Sequence, residues 1–167
     1  IVTGGLGFIG SNLIDLLLKK NFYVINLDKI SYSSNFYNIK DFKNNKNYKF
    51  IKCDILDKRK IINILNKTKP KAIFNLAAET HVDRSIDGPE SFIHTNINGT
   101  YKLLESLRFL KKKKITPKLI HVSTDEVYGD IKKGARSDEN YKYEPSSPYS
   151  ASKAGADHLV KSYIRTY

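Results

Sequence analysis

The sequence predicts an α/β fold in which a parallel sheet is wound on both faces by helices. Three observations carry that expectation. Short apolar, strand-like runs alternate with amphipathic, helix-like runs along the whole chain. A glycine-rich segment, Gly4-Gly5-Leu6-Gly7-Phe8-Ile9-Gly10, stands between the first such strand and the first such helix. The fifth strand-like run, Lys118 to Val122, breaks abruptly into Ser123-Thr124-Asp125-Glu126-Val127-Tyr128-Gly129. In open parallel sheets the carboxyl ends of the strands are where ligands bind, so reactive polar residues belong there.

Composition narrows the class. At 167 residues, with 40% apolar and 28% charged residues, the chain has room for one domain with a sizeable core. No apolar run approaches the roughly 20 residues that span a bilayer, and nothing resembles a signal peptide, so no membrane partner is expected. The lone Cys53 cannot form an internal disulfide and reads as a small core residue of a cytoplasmic protein. The net charge of +12 comes from lysines that far outnumber the five arginines, alongside abundant Asn, Ile and Tyr. An AT-rich coding bias gives that composition without selection for phosphate contacts, and no nucleic-acid partner is expected. The densest run, Lys111 to Lys114, falls at the expected end of a helix, where cations complement the macrodipole.

Ile1 to Thr3 reads as the first strand. Glycines at 4, 7 and 10 satisfy G-x-x-G-x-x-G, and those at 5, 7 and 10 satisfy G-x-G-x-x-G. Such glycines let the backbone turn tightly and approach a pyrophosphate, whose charge then sits at a helix N-terminus. The helix is expected over Ser11 to Lys20, with Ile9, Leu13, Leu16 and Leu17 on its apolar face. A second strand, Phe22 to Leu27, ends in Asp28, placed to hydrogen-bond ribose hydroxyls and to repel a 2′-phosphate. That favours NAD over NADP, with Lys29 next door working slightly against it. From Lys29 to Tyr48 the chain is polar and Asn-rich, without a regular period.

A third strand, Tyr48 to Cys53, ends in Asp54-Ile55, and Asp57 is placed to cap a helix over Lys58 to Asn66. After Pro70 comes a fourth strand, Ala72 to Leu76. Ala77 and Ala78 behind it leave room for a flat cofactor. His81, in the following loop, reads as readily as a surface or backbone-tethered histidine as a substrate contact. Gly88-Pro89 opens a long helix to about Leu110, with Ile93, Ile97, Leu104 and Leu107 as its buried stripe. Thr95 and Asn96 near its middle must face a ligand or find capping partners. After a charged loop, Ser147 is a natural N-cap with Pro148 at the first helical position. Tyr149 and Lys153 then lie four apart on one helical face. A lysine ammonium beside a phenol draws its pKa down from about 10, which would make Tyr149 a usable general base. Adjacent Asp125 and Glu126 suit an acid and a base held in opposite protonation states within a desolvated site.

The chain resembles the extended short-chain dehydrogenase/reductases, and within them the nucleotide-sugar 4,6-dehydratases. The residues that carry the resemblance are Thr3 to Gly10, Leu27 to Lys29, Asn75 to Ser85, His121 to Gly129 and Ser147 to Lys153. The resemblance implies a Rossmann-like doubly wound parallel sheet, truncated at both ends, because the family's proteins are about twice this length. Residues 1–167 would be a partial NAD-binding domain, lacking the C-terminal substrate domain, and prone to aggregate if expressed alone. It implies NAD contacts from Gly4, Gly7, Phe8, Ile9, Gly10, Asp28, Lys29, Ser31, Asp54, Ile55, Leu76, Ala77, Ala78, Thr80, Thr95, Tyr149 and Lys153. It further implies substrate contacts from Thr80, His81, Ser85 and Thr124, and catalysis by Thr124, Asp125, Glu126, Tyr149 and Lys153, with no metal. A nucleotide sugar, dTDP-glucose in preference, would be the substrate, and two long helices would build a homodimer. Three other readings stay open. A plain epimerase or oxidoreductase would leave Asp125 and Glu126 idle, and a UDP-glucose dehydratase would share every residue named. A non-catalytic NAD-binding or RNA-binding protein would tolerate loss of Tyr149 or Lys153.

Overall fold

The computed structural model describes all residues 1–167. Five parallel strands form one sheet in the order β3-β2-β1-β4-β5. They are β1 (Val2–Thr3), β2 (Val24–Asp28), β3 (Tyr48–Lys52), β4 (Ala72–Asn75) and β5 (Lys118–His121). β1 occupies the centre, with Val2 and Thr3 paired to Asn26 and Leu27 on one side and to Phe74 and Asn75 on the other. The chain leaves β1 toward one edge and returns toward the other at β4. That reversal makes the crevice above β1 the natural ligand site.

Both faces of the sheet are covered, as parallel sheets require. On one face, Ile25 and Leu27 of β2 pack with Ile61, Ile64 and Leu65 of α2 (Lys58–Thr68) and with Leu103 and Leu110 of α5 (Thr100–Lys111). On the other, Val2 and Val24 pack with Leu6, with Ile14 and Leu18 of α1 (Phe8–Lys19), and with Ile39 and Phe42. The alternation of Val24 and Ile25 between the two cores is the period-2 signature of a strand buried on both sides. Ile39 and Phe42 come from the stretch without a period, where Asn35 caps a short 3₁₀ turn, Phe36–Ile39, through the Tyr37 amide. Asp57 caps α2 by accepting from the Lys60 amide at 2.9 Å.

Two helices differ from their expected faces. α1 begins at Phe8, and its buried line is Gly10, Ile14 and Leu18, whereas Ile9 and Leu16 are exposed. The reason is the close seat of Gly10, whose Cβ would lie 2.3 Å from the Gly4 carbonyl oxygen. That contact fixes the helix rotation, and the residues one and two turns on follow it inward. The long helix is three pieces: α4 (Glu90–Phe92), a π-helical stretch (Ile93–Gly99) and α5. The wider π turn shifts the phase, so Phe92, Thr95, Asn96 and Gly99 face inward and Ile93 faces out. Asn96 holds this stretch in place. Its amide accepts from the Glu79 amide and donates to the Glu79 carbonyl, each at 2.9 Å, and donates to Ser152 at 2.8 Å. A short α3 (Val82–Asp87), not anticipated from the sequence, follows β4, and α6 (Pro148–Thr166) closes the chain.

Candidate active site in a dinucleotide crevice

A cleft of about 400 Å³ opens at the carboxyl ends of the strands. Its floor is the β1–α1 turn. Gly4 adopts a φ of +69°, and a Cβ there would lie 2.9 Å from the Ala77 backbone. Glycine is therefore required both for the turn and for the approach of the neighbouring strand end. Gly7 caps α1 without any side-chain bond, so the first amides of that helix face the cleft. Open helix amides form an anion site without help from side chains.

At the β2 end of the cleft Asp28 is buried and well anchored. Its carboxylate accepts from the Leu6 amide at 3.0 Å, the Ile30 amide at 2.8 Å and the Ser34 hydroxyl at 2.7 Å. Lys29 reaches across the cleft to the β4 side, donating to Glu79 at 3.0 Å and Thr95 at 3.2 Å. Asp54 spends one oxygen on the Leu56 amide at 2.9 Å. Burial pushes the Cys53 thiol up to about 11, so it is an inert wall residue. Gly4, Gly7, Phe8, Ile9, Gly10, Asp28, Lys29, Ser31, Asp54, Ile55, Leu76, Ala77, Ala78, Thr80, Thr95, Tyr149 and Lys153 all line this one cleft. So do Leu27, Ser33, Ser34, Cys53, Val122 and Ser123, which sequence reasoning did not assign to the cofactor. Ser33 and Ser34 lie in the stretch without a period, which carried no signal.

At the far end, α6 delivers Tyr149 and Lys153. Ser147 caps it through the Ser150 amide at 3.0 Å, Ser150 returns a bond to the Ser147 amide at 2.9 Å, and Pro148 follows at the first position. The structure corrects the expected Tyr149–Lys153 coupling. Burial raises the Tyr149 phenol above its ordinary value. The Thr124 hydroxyl opposes that rise, and the carboxylates of Glu126 and Asp125 add to it. Lys153 does not pull it down, because its ammonium donates to the Val122 carbonyl at 2.6 Å. Burial lowers the Lys153 pKa, and Asp157 acts against that.

Thr124 caps a short 3₁₀ turn, Asp125–Tyr128, by accepting from the Glu126 amide at 3.3 Å. Asp125 and Glu126 stand within electrostatic reach of the phenol but are exposed on this chain, where a desolvated pair was expected. His81 is exposed and caps α3, its Nδ1 accepting from the Arg84 amide at 3.5 Å. Ser85 is fully buried. Its hydroxyl donates to the Val82 carbonyl at 2.6 Å and accepts from the Tyr149 amide at 3.1 Å. In this arrangement Ser85 positions the start of α6 and does not reach the cleft.

The residues fit a dinucleotide. A crevice lined by small residues, free helix amides at its centre and an anchored carboxylate at the β2 end match the pyrophosphate and ribose of such a group.

Comparison with known proteins agrees with this geometry. A dTDP-glucose 4,6-dehydratase from Haemophilus influenzae is 48% identical over 174 residues, covering 100% of this chain and 52% of that protein. The crystal structure of DesIV, a dTDP-glucose 4,6-dehydratase from Streptomyces venezuelae with NAD and TYD bound, superposes with a TM-score of 0.91. It is 40% identical, covering 99% of this chain and 51% of that one. UDP-glucose 4-epimerase from Brucella ovis, in complex with NAD, gives a TM-score of 0.87 at 27% identity, covering 99% and 47%. The chain spans about half the length of the curated relatives it matches. A family model described as GDP-mannose 4,6 dehydratase matches residues 1–167, from end to end. With its whole length accounted for by that model, the chain belongs to the GDP-mannose 4,6 dehydratase family.

Proposed function

We propose that this chain supplies the NAD-binding domain and the catalytic residues of a nucleotide-sugar 4,6-dehydratase acting on dTDP-glucose. One observation carries the reading: the Thr124-Asp125-Glu126 turn stands against the Tyr149 phenol at the end of a dinucleotide crevice. An epimerase on the same fold has no task for two carboxylates there. The named activity of the 48%-identical relative favours dTDP-glucose as substrate.

NAD would lie along the glycine turn, with Asp28 on the adenosine ribose, Ala77 and Ala78 beside it, and Tyr149 and Lys153 at its nicotinamide end. When bound it would supply the redox capacity, for hydride removal at sugar C4 and hydride return at C6. The residues of the chain move the protons. Tyr149 accepts the C4 hydroxyl proton while Thr124 hydrogen-bonds the same oxygen. The resulting ketone acidifies C5, and Glu126 removes that proton. Asp125, when protonated, gives its proton to the departing C6 hydroxyl, which leaves as water, and Glu126 reprotonates C5. The product is a 4-keto-6-deoxy sugar, and the cycle is redox-neutral. Because burial holds the phenol protonated in the open cleft, its activation as a base depends on the charge distribution of the occupied site.

The same reading places the sugar-nucleotide contacts partly outside residues 1–167, in keeping with the share of the relatives that is matched. It includes a cytoplasmic location; no helix is long and apolar enough to cross a membrane. It also includes a homodimer built on the π–α5 and α6 helices, whose exposed Ile93, Tyr101, Phe109 and Ile164 are available for such contacts.

The test is turnover. Incubation of the intact protein with dTDP-glucose, UDP-glucose and GDP-mannose should give a 4-keto product fastest from dTDP-glucose. Glu126→Gln keeps shape but removes the base, so elimination should fall by ~10²-fold or more. C4 oxidation should survive, seen as NADH absorbance on adding substrate. A Glu126→Gln protein that dehydrates normally would remove the role given to Glu126.

A further inference from the structure

Asp157 is a buried carboxylate that the proposed chemistry does not use, and it lies one helical turn beyond Lys153. Its side chain is 8% exposed. It accepts hydrogen bonds from the Ser123 hydroxyl and, at 3.0 Å, from the Tyr143 hydroxyl. The His121 Nε2 stands 3.4 Å from its other oxygen.

The tautomer of His121 follows from its other side. The Thr3 hydroxyl accepts from the Leu76 and Ala77 amides and donates to the Asn75 Oδ1 at 2.7 Å. The Asn75 amide nitrogen therefore faces the His121 Nδ1, at 3.1 Å, and donates to it. The ring proton then sits on Nε2, which stands beside the Asp157 carboxylate without an aligned hydrogen bond to it. Burial pushes the Asp157 carboxyl up, but the neighbouring His121, Ser123 and Tyr143 together hold it below its ordinary range. A continuous buried polar chain thus runs from β1 through β4 and β5 to α6.

What this chain holds is the stretch just before the Thr124–Glu126 turn. His121 and Ser123 both reach Asp157, and between them the Val122 carbonyl takes the Lys153 ammonium. The turn itself is anchored by the buried Val127 but has few hydrogen bonds to the rest of the chain. Asp125 and Glu126 are exposed, and beyond the Thr124 cap the segment is held by the Glu144 amide on the Val127 carbonyl at 3.0 Å. That second tie depends on the 141–144 segment, whose Tyr143 is bonded to Asp157 and packs edge-on against Tyr128.

We propose that Asp157 is a positioning residue: through Ser123, His121 and Tyr143 it holds the Thr124–Glu126 turn and the Lys153 ammonium in register with Tyr149. The inference rests on the reading of Tyr149 and the turn as the reacting groups. Asp157 itself does not line the cleft, so its action is through these neighbours.

The experiment uses the intact protein and Asp157→Asn, which keeps size but removes the charge and one acceptor. Misplacement of reacting groups by about 1 Å costs up to ~10²-fold. The expected result is a fall in kcat on that order, with KM for dTDP-glucose and the calorimetric NAD affinity within about threefold of the parent. Tyr143→Phe and Ser123→Ala should each give part of the loss, and Asp157→Asn/Tyr143→Phe should be no slower than Asp157→Asn alone. In parallel, hydrogen exchange of the Gly129 and Glu144 amides should quicken in Asp157→Asn, while amides of β1, β2 and α1 keep their protection. Unchanged kcat, or losses of NAD affinity and global protection that track the activity, would overturn the proposal. If the parent protein does not turn over dTDP-glucose, the functional reading fails on its own. The exchange arm then still decides whether Asp157 holds the turn.

Discussion

A carboxylate distinguishes a ribose from its 2′-phosphate only if it is held still and stays unneutralised. Asp28 meets both conditions. Two backbone amides and Ser34 fix its orientation, and a carboxylate offers about four acceptor positions, so capacity remains for a ribose hydroxyl. The neighbouring Lys29 would favour a phosphate if its ammonium were free, but Glu79 and Thr95 hold it on the opposite wall. The ion pair thus removes the one feature that argued against NAD. Calorimetry should find NAD bound much more tightly than NADP, and Asp28→Ala should narrow the gap while weakening NAD itself. Equal affinity for the two cofactors in the unsubstituted protein would contradict the role of Asp28. Tyr149 teaches a different lesson. Spacing placed Lys153 on its helical face, but the Val122 carbonyl claims the ammonium, and burial then dominates the phenol.

At the scale of elements, the first helix and its glycine turn act as one unit. Gly10 is packed against backbone, 2.3 Å from the Gly4 oxygen and 2.8 Å from the Gly5 Cα once a Cβ is imagined there. Backbone cannot yield as a side-chain tip can, so Gly10→Ala should lower stability by ~1–3 kcal/mol or more and abolish NAD binding. A Cβ on Gly7 meets only the Gly4 oxygen, at 3.3 Å. Gly7→Ala should therefore cost no more than ~1 kcal/mol, the ordinary penalty for alanine at an N-cap. Its methyl group would nonetheless crowd the helix amides that face the cleft and weaken NAD. Denaturant melts and calorimetry on the pair separate the two effects. A Gly7→Ala loss of stability as large as that of Gly10→Ala would show that the packing argument is misplaced. The π-helical stretch is the second such unit, since Asn96 ties it to the β4–α3 loop and to α6 at once.

Across the whole molecule, α2, α5 and α6 meet at Glu105. Its carboxylate accepts from Arg108 at 3.0 Å on its own helix, from Lys58 of α2 at 3.4 Å and from Tyr163 of α6 at 2.8 Å. The Arg108 bond is the largest cause that holds the Glu105 pKa down, at about 2, against an ordinary 4.5. A carboxyl depressed on folding contributes stability that is fully present above its unfolded pKa and is lost as pH falls through the folded one. The contribution is therefore complete above about pH 4.5 and disappears toward pH 2. Glu105→Gln should be less stable at neutral pH and should lose less on acidification between those values. Melting curves taken across that range test it, and parallel pH profiles for the two proteins would refute it.

The elements were legible in the sequence because their signals are local. Strand periodicity, the glycine turn, the Asp57 and Ser147 caps and the polar break after β5 each depend on a few consecutive residues. The convergence of Gly4, Asp28, Ala77, Tyr149 and Lys153 on one cleft follows from the same signals, since each sits at the carboxyl end of a strand or in the first two turns of a helix. What only the tertiary structure decided is what depends on distant partners. The rotation of α1 came from the seat of Gly10 on Gly4, and the phase of the long helix from the π turn held by Asn96. The partner of Lys29 lies 50 residues away and that of Ser123 34 residues away. Periodicity reports which residues avoid water; it carries no information about which buried polar group meets which. That pairing, and the protonation that comes with it, arises only when the strands are set side by side.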